Sequence, residues 1–338
     1  MAQVSPRPDV PTDPPVSPGG PESHDPMDRR RGGDPAGRWG GSDLVRVLAC
    51  IGIVQFHMRS PYMERADGPL LAFGLLTVAF AAQSAQRSRS LGSFAASRVR
   101  RLLVPWVFWS VAYGALNVVM AARHGRPLFG WAEPKMLLIG TKLHLWYLPF
   151  AFAASLAAGA YVIARRGKPQ QSAWAWAELL LIGVVALVLS GWLVDRLPAP
   201  MPIPQWLVVA PAVPLGLAFA VIGPAFGAGR PWVISVLALG LVASLAATAI
   251  GIEGIPQPQA AVALVCALLW SVPWKAPRVL TAAAQLTMGI YLLHPFFILI
   301  MYRHAPEHVK SWTGLAAVVL ASGAATWAMR QTRLREMV

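Results

Sequence analysis

The chain has 338 residues, 56% of them hydrophobic and only 13% charged, with a net charge of +14. A soluble domain carries about 25% charged residues, so this composition excludes an ordinary water-soluble globule and points to a membrane protein. Nor does the positive charge indicate nucleic acid, because the Lys and Arg residues lie in short clusters between apolar runs, as cytoplasmic membrane loops do.

Residues 1–41 hold nine of the 30 Pro and six of the 15 acidic residues, with almost no large apolar residue before Trp39. Such a segment cannot bury enough surface to fold, and it reads as a disordered cytoplasmic tail. The basic stretch Arg29–Arg31 precedes an apolar run, the pattern of an export signal. No small-residue cleavage site follows directly, so the run reads as an uncleaved first span. Residues 42–338 then form the membrane domain. Crossing a bilayer takes about 17 to 25 apolar residues. Ten candidate runs follow in order: 43–59, 69–86, 102–121, 143–164, 177–194, 206–226, 232–250, 259–273, 281–302 and 312–329. The second and eighth are marginal and fit tilted, broken or partly re-entrant segments.

Strand-like alternation is absent, and Ala/Leu/Val runs of this length imply helices, since lipid-exposed backbone must satisfy its own hydrogen bonds. The expected fold is all-α, a polytopic membrane protein of about ten helices. With the N-terminus inside, the loops on that side carry 18 Lys and Arg against nine on the other. This bias puts both termini in the cytoplasm of a multi-pass plasma-membrane protein. Many of the 14 Trp lie near run ends, at headgroup depth. Cys50 and Cys266, each inside an apolar run, read as packed core residues rather than a disulfide or a metal site.

The first run, "SDLVRVLACIGIVQFHM" (Ser42–Met58), carries Arg46 near its start and His57 near its end. Eleven residues of helix separate them by roughly 16 Å and three turns plus about 20°, so both point to nearly the same side. That side must face protein or water, since a lipid-facing Arg costs at least about 2.5 kcal/mol. Asp43, three residues before Arg46, is close enough to pair with it. The plainer alternative is an arginine snorkelling at the inner leaflet and a satisfied histidine at the outer interface.

Between the second and third runs, Arg87, Arg89, Arg98, Arg100 and Arg101 share one predicted cytoplasmic loop. Positive-inside bias explains most such clusters. The functional alternative is a phosphate site, because guanidinium groups hold phosphate by bidentate hydrogen bonds. His144 in "KLHLWYLPF" and His294 in "GIYLLHPFF" fall in the same outer half as His57. Three histidines suffice for zinc, but these come from separate helices without ligand spacing, so no metal is expected. His124, His304 and His308 fall in outer loops and read as solvated. Carboxylates within the runs are confined to Asp43 and Glu178 at inner ends, so the acid half of a proton relay is missing.

Four segments, in this order, resemble the acyltransferase 3 family of integral membrane acyltransferases: "DLVRVLACIGIVQFH", "SFAASRVRRLLVPW", "HLWYLPF" and "GIYLLHPFF". The resemblance spans residues 42–330. It implies O-acylation, commonly acetylation, of a carbohydrate or similar hydroxylated acceptor, with cytoplasmic acyl-CoA as co-substrate and no bound cofactor. Arg98 and Arg101 would hold the donor phosphates, with Arg46, flanked by Asp43, further along the same path. His57 would be the general base for the acceptor hydroxyl; its ordinary pKa near 6.5 leaves it largely neutral, as a base requires. His144, Trp146, Tyr291 and His294 are the substrate or oxyanion candidates, and the sequence does not choose among them. Two other classes stay open: a non-catalytic exporter or partner subunit of a polysaccharide pathway, and a small-molecule transporter. Acyl transfer by purified protein separates the enzyme from both.

Overall fold

Each of the ten apolar runs is helical over most of its described residues. The computed structural model describes residues 40–59, 67–166, 173–222, 230–249, 257–271 and 274–338. The expected tail lies outside the described residues as far as residue 39, and helix begins two residues before the expected boundary. In chain order the helices are α1 (Gly40–His57), α2 (Asp67–Arg87), α3 (Leu91–Arg98), α4 (Val104–Arg123), the short α5 (Met136–Ile139), α6 (Tyr147–Ala164) and α7 (Ala173–Arg196). There follow α8 (Ile203–Val209), α9 (Ala212–Ile222), α10 (Arg230–Ala249), α11 (Gln257–Ser271), α12 (Arg278–His304) and α13 (Trp312–Arg330). Among the described residues there is no strand, so the all-α reading holds.

Among the described residues, seven stretches are long and apolar enough to cross a membrane: Gly68–Arg87, Leu91–Arg123, His144–Ala164, Ala177–Val194, Ile203–Ala220, Arg278–His304 and Trp312–Arg330. The marginal second run is among them. The first run is not, its helix being diluted by Asp43, Arg46, Gln55 and His57. The marginal eighth run appears as a shorter apolar helix, Pro258–Leu269.

Buried small residues make α2 the hub. Leu71, Leu75, Val78, Ala79, Ala82 and Ala85 are all buried, and α2 packs against α1, α6, α9 and α11. Within a membrane no water drives helices together, so close approach of backbones through small residues does this work. At Gly289 a Cβ would lie 2.2 Å from the Thr326 side chain, which holds α12 tight against α13.

The third crossing is one long rod. Ser90 caps α3 through a reciprocal bond with Ser93. A π-helical turn, Val99–Leu103, then passes α3 directly into α4, and Pro105, which has no N–H to give the preceding turn, follows it at once. Phe94, fully buried, seats α3 on α6: a Cβ at Gly159 would meet its ring at 2.4 Å.

One face of the bundle gathers the starts of α1 and α12 with the ends of α2, α6 and α13. Gly40 N–H donates to the Trp274 carbonyl at 2.9 Å, and Arg330 reaches the Gln285 carbonyl at 3.1 Å. The Arg166 guanidinium, just past α6, donates to the carbonyls of Ala85 and Ser88 and closes the end of α2. After α13 a 3₁₀ turn, Arg333–Met337, folds back on this face. There Trp109 Nε1 donates to the Met337 carbonyl at 2.7 Å.

Candidate active site

The end of α1, the entry to α6 and the middle of α12 bring three histidines together. The His57 and His294 ring centroids are 5.0 Å apart, those of His144 and His294 5.5 Å, and those of His57 and His144 6.5 Å. His144 and His294 are fully buried, and the Nε2 of each lacks a hydrogen-bond partner. His57 is partly buried. Among the described residues no group of three His, Cys, Asp or Glu is arranged to hold a metal ion. Lys142 stands two residues before His144, and burial pushes its ammonium below the ordinary lysine value.

Tyrosines frame the cluster. Tyr113 donates to the Leu292 carbonyl at 2.7 Å, and its ring is 5.4 Å from that of His144. The Tyr291 hydroxyl donates to the His144 carbonyl, so its proton is already engaged rather than presented to an oxyanion. The Tyr147 and Thr77 hydroxyls bond each other at 3.0 Å. Trp146 stands apart, its ring against Tyr147 at 5.9 Å and Phe150 at 6.3 Å. Tyr113 and Thr77 did not stand out in the sequence, where each lies inside an apolar run without an accompanying motif, and Tyr147, though within "HLWYLPF", was not singled out.

Below the tyrosines, toward the arginine-rich face, lies a mainly apolar cavity of about 190 Å³. Arg46, Phe80, Leu102, Tyr147, Met288 and Tyr291 are among its walls. The Arg46 guanidinium lies over the Phe80 ring, 5.0 Å from its centroid. Arg46 thus leans on α2 while sharing this cavity with Met288 and Tyr291 of α12, the helix whose His294 lies beside His57. Asp43, one turn before Arg46, is buried with Oδ2 lacking a hydrogen-bond partner among the described residues.

A second, more polar cavity of about 610 Å³ opens on the arginine-rich face. Ser97, Arg100 and Arg101 line one side, and Arg335 and Glu336 of the folded-back 3₁₀ turn line the other. Arg98 is not in this wall: its guanidinium lies over the Phe94 ring, 4.8 Å from the centroid. The π-helical turn accounts for the separation, since a wider turn rotates Arg101 away from the face it would share with Arg98 in a regular helix. Arg100 stood in the predicted arginine cluster, whereas Arg335 and Glu336 were not among the candidates. Charges just past a last span read as ordinary cytoplasmic flank, and nothing in the pattern says that the chain turns back.

Fold and site together define a helical protein of the multi-pass membrane kind, with charged residues at one face and a buried histidine cluster deep inside. The family follows from comparison with known proteins: the model of the acyltransferase 3 family, an acyltransferase domain, matches residues 39–330. The chain belongs to that family, and membership implies an acyltransferase-type function. No curated protein and no solved structure matches it.

Proposed function

We propose that the protein is an O-acyltransferase of the plasma membrane. It takes an acyl group, commonly acetyl, from cytoplasmic acyl-CoA and places it on a hydroxyl of a carbohydrate or glycosylated acceptor. One observation carries this reading: an arginine-lined cavity, an apolar cavity holding Arg46, and the His57 cluster succeed one another from one face inward. That order matches the donor's own layout of anionic nucleotide, flexible arm and reactive thioester.

The polar cavity is of ligand size, within the roughly 300 to 1,000 Å³ typical of such sites. Arg100, Arg101 and Arg335 bind the phosphates by charge-assisted hydrogen bonds. The arm occupies the apolar cavity past Arg46, covering much of the roughly 16 Å that separates Arg46 from His57 along α1. A free His57 nitrogen takes the proton of the acceptor hydroxyl as its oxygen attacks the thioester carbonyl carbon. The tetrahedral adduct then collapses, the C–S bond breaks, and the proton passes from His57 to sulfur, releasing the ester and the CoA thiol. A placed base of this kind contributes about 10² to 10⁴ in rate.

Both termini lie in the cytoplasm and all ten runs span or enter the bilayer, in keeping with the two-to-one bias of Lys and Arg. The test is transfer itself. Purified protein given radiolabelled acetyl-CoA and extracted surface glycans or glycosides should form labelled ester and free CoA. Substrate uptake into vesicles lacking any acyl donor, with no ester formed, would overturn the reading in favour of a transporter.

A further inference from the structure

Pro295 sits inside α12 and has no N–H to bond the Tyr291 carbonyl four residues earlier. His294 supplies the missing donor. Its Nδ1 lies 2.8 Å from the Tyr291 carbonyl oxygen and 3.2 Å from that of Ile290. A carbonyl oxygen accepts and cannot donate, so Nδ1 carries the hydrogen, and in the neutral ring Nε2 holds a bare lone pair. That Nε2 is buried without a partner. A buried acceptor left unpaired is costly, so its retention points to a use.

His57 is the ring nearest to His294, with centroids 5.0 Å apart and planes inclined by 36°. No hydrogen bond joins them in this structure. At that separation, rotation of His57 about χ2, a soft torsion, turns an N–H toward the waiting Nε2. His144 presents a second unpartnered Nε2, but its centroid is 6.5 Å from that of His57.

We infer that His294 is the positioning residue of His57: its Nε2 accepts the N–H of His57 and thereby turns the other His57 nitrogen, lone pair outward, toward the acceptor hydroxyl. This rests on the acyl-transfer reading above. It gives to a neutral histidine the orienting task that a carboxylate performs in other base dyads, in a cluster where none of the three rings has a carboxylate neighbour within 4 Å among the described residues. It also removes His294 from the oxyanion role, because its one N–H is committed to backbone carbonyls. During transfer His57 gains the hydroxyl proton on its outward nitrogen, keeps the other N–H on His294, and returns the gained proton to the departing sulfur.

Two substitutions separate the halves of the His294 ring. In His294→Asn the amide lies where Nδ1 was, so the Tyr291 carbonyl keeps a donor while the acceptor at Nε2 is lost. In His294→Gln the amide oxygen reaches the Nε2 position and accepts from His57. His294→Leu keeps neither group. With each protein checked for insertion and monodispersity, kcat for ester formation should fall about 30- to 100-fold in the Asn and Leu variants, as for loss of an orienting partner. The KM for acyl-CoA should stay within about twofold, and the Gln variant should regain about tenfold over Asn. Equal kcat values in the Asn and Gln proteins, or a wild-type rate in a folded Leu variant, would overturn the assignment. Wild-type rates in His57→Ala would overturn the base assignment on which the pairing depends, whereas a wild-type protein that forms no ester at all would instead overturn the acyl-transfer reading beneath it.

Discussion

Replacing Arg101 by Gln should raise the KM for acyl-CoA far more than the same change at Arg98. Arg101 lines the polar cavity together with Arg100 and Arg335, whereas the Arg98 guanidinium rests on Phe94. A hydrogen bond to a charged group is worth about 1.5 to 3 kcal/mol, which at about 1.4 kcal/mol per tenfold gives about 10- to 100-fold in KM for Arg101→Gln. Arg98→Gln forfeits a cation–π contact of about 0.5 to 1 kcal/mol, no more than about fivefold even if all of it reached the donor site. The assay is steady-state transfer by purified protein with two donors, acyl-CoA and the matching S-acyl-pantetheine. The second lacks the nucleotide and should respond to neither substitution. A larger effect at Arg98 than at Arg101, or equal losses with both donors, would refute the placement of the nucleotide in this cavity.

His57→Ala should insert and fold normally yet transfer acyl groups about 10²-fold more slowly or worse, and the wild-type rise of rate with pH should vanish in it. Near wild-type transfer by the folded variant would move the base elsewhere. A reporter fused after Arg335 should be cytoplasmic and one within residues 196–205 external; an external reporter after Arg335 would remove the ten-span arrangement. Trp109→Phe deletes the donor that holds the Met337 carbonyl while keeping an aromatic ring against Tyr113. It should raise the KM for acyl-CoA several-fold through the loosened turn carrying Arg335, with kcat unchanged, and an altered kcat at constant KM would count against it.

What the sequence made legible is what spacing controls. The apolar runs located every major helix, and the eleven-residue step from Arg46 to His57 placed both on nearly the same side of α1, where Arg46 shares a cavity with residues of α12 and His57 lies beside His294. His144 and His294 were recognisable as candidates because polar rings inside apolar runs need a reason to be there. Their meeting with His57 was not legible, since it depends on how α1, α6 and α12 cross. The π-helical turn that parts Arg98 from Arg101 leaves no mark in a pattern read at 3.6 residues per turn. Tyr291 was one of several substrate or oxyanion candidates, and the bond from its hydroxyl to the His144 carbonyl depends on the packing of α12 against the entry to α6 and could not be read from spacing. The His294–Pro295 dipeptide was in plain view, and the tautomer it imposes follows from proline chemistry once the helix is known to continue through it.

The unbroken rod from Leu91 to Arg123 has 33 residues, about 50 Å of helix against a hydrocarbon core of about 30 Å. Measured back from Arg123, Arg101 stands 22 residues along, about 33 Å, at the depth where a bilayer keeps its own phosphates. The lipid headgroups are therefore rival anions for the same guanidinium groups, present at a local concentration no soluble donor approaches. On the proposed reading, donor affinity should depend on the membrane as much as on the protein: weaker beside acidic lipids, stronger in zwitterionic ones, and eroded by salt over a screening length of about 8 Å at physiological ionic strength.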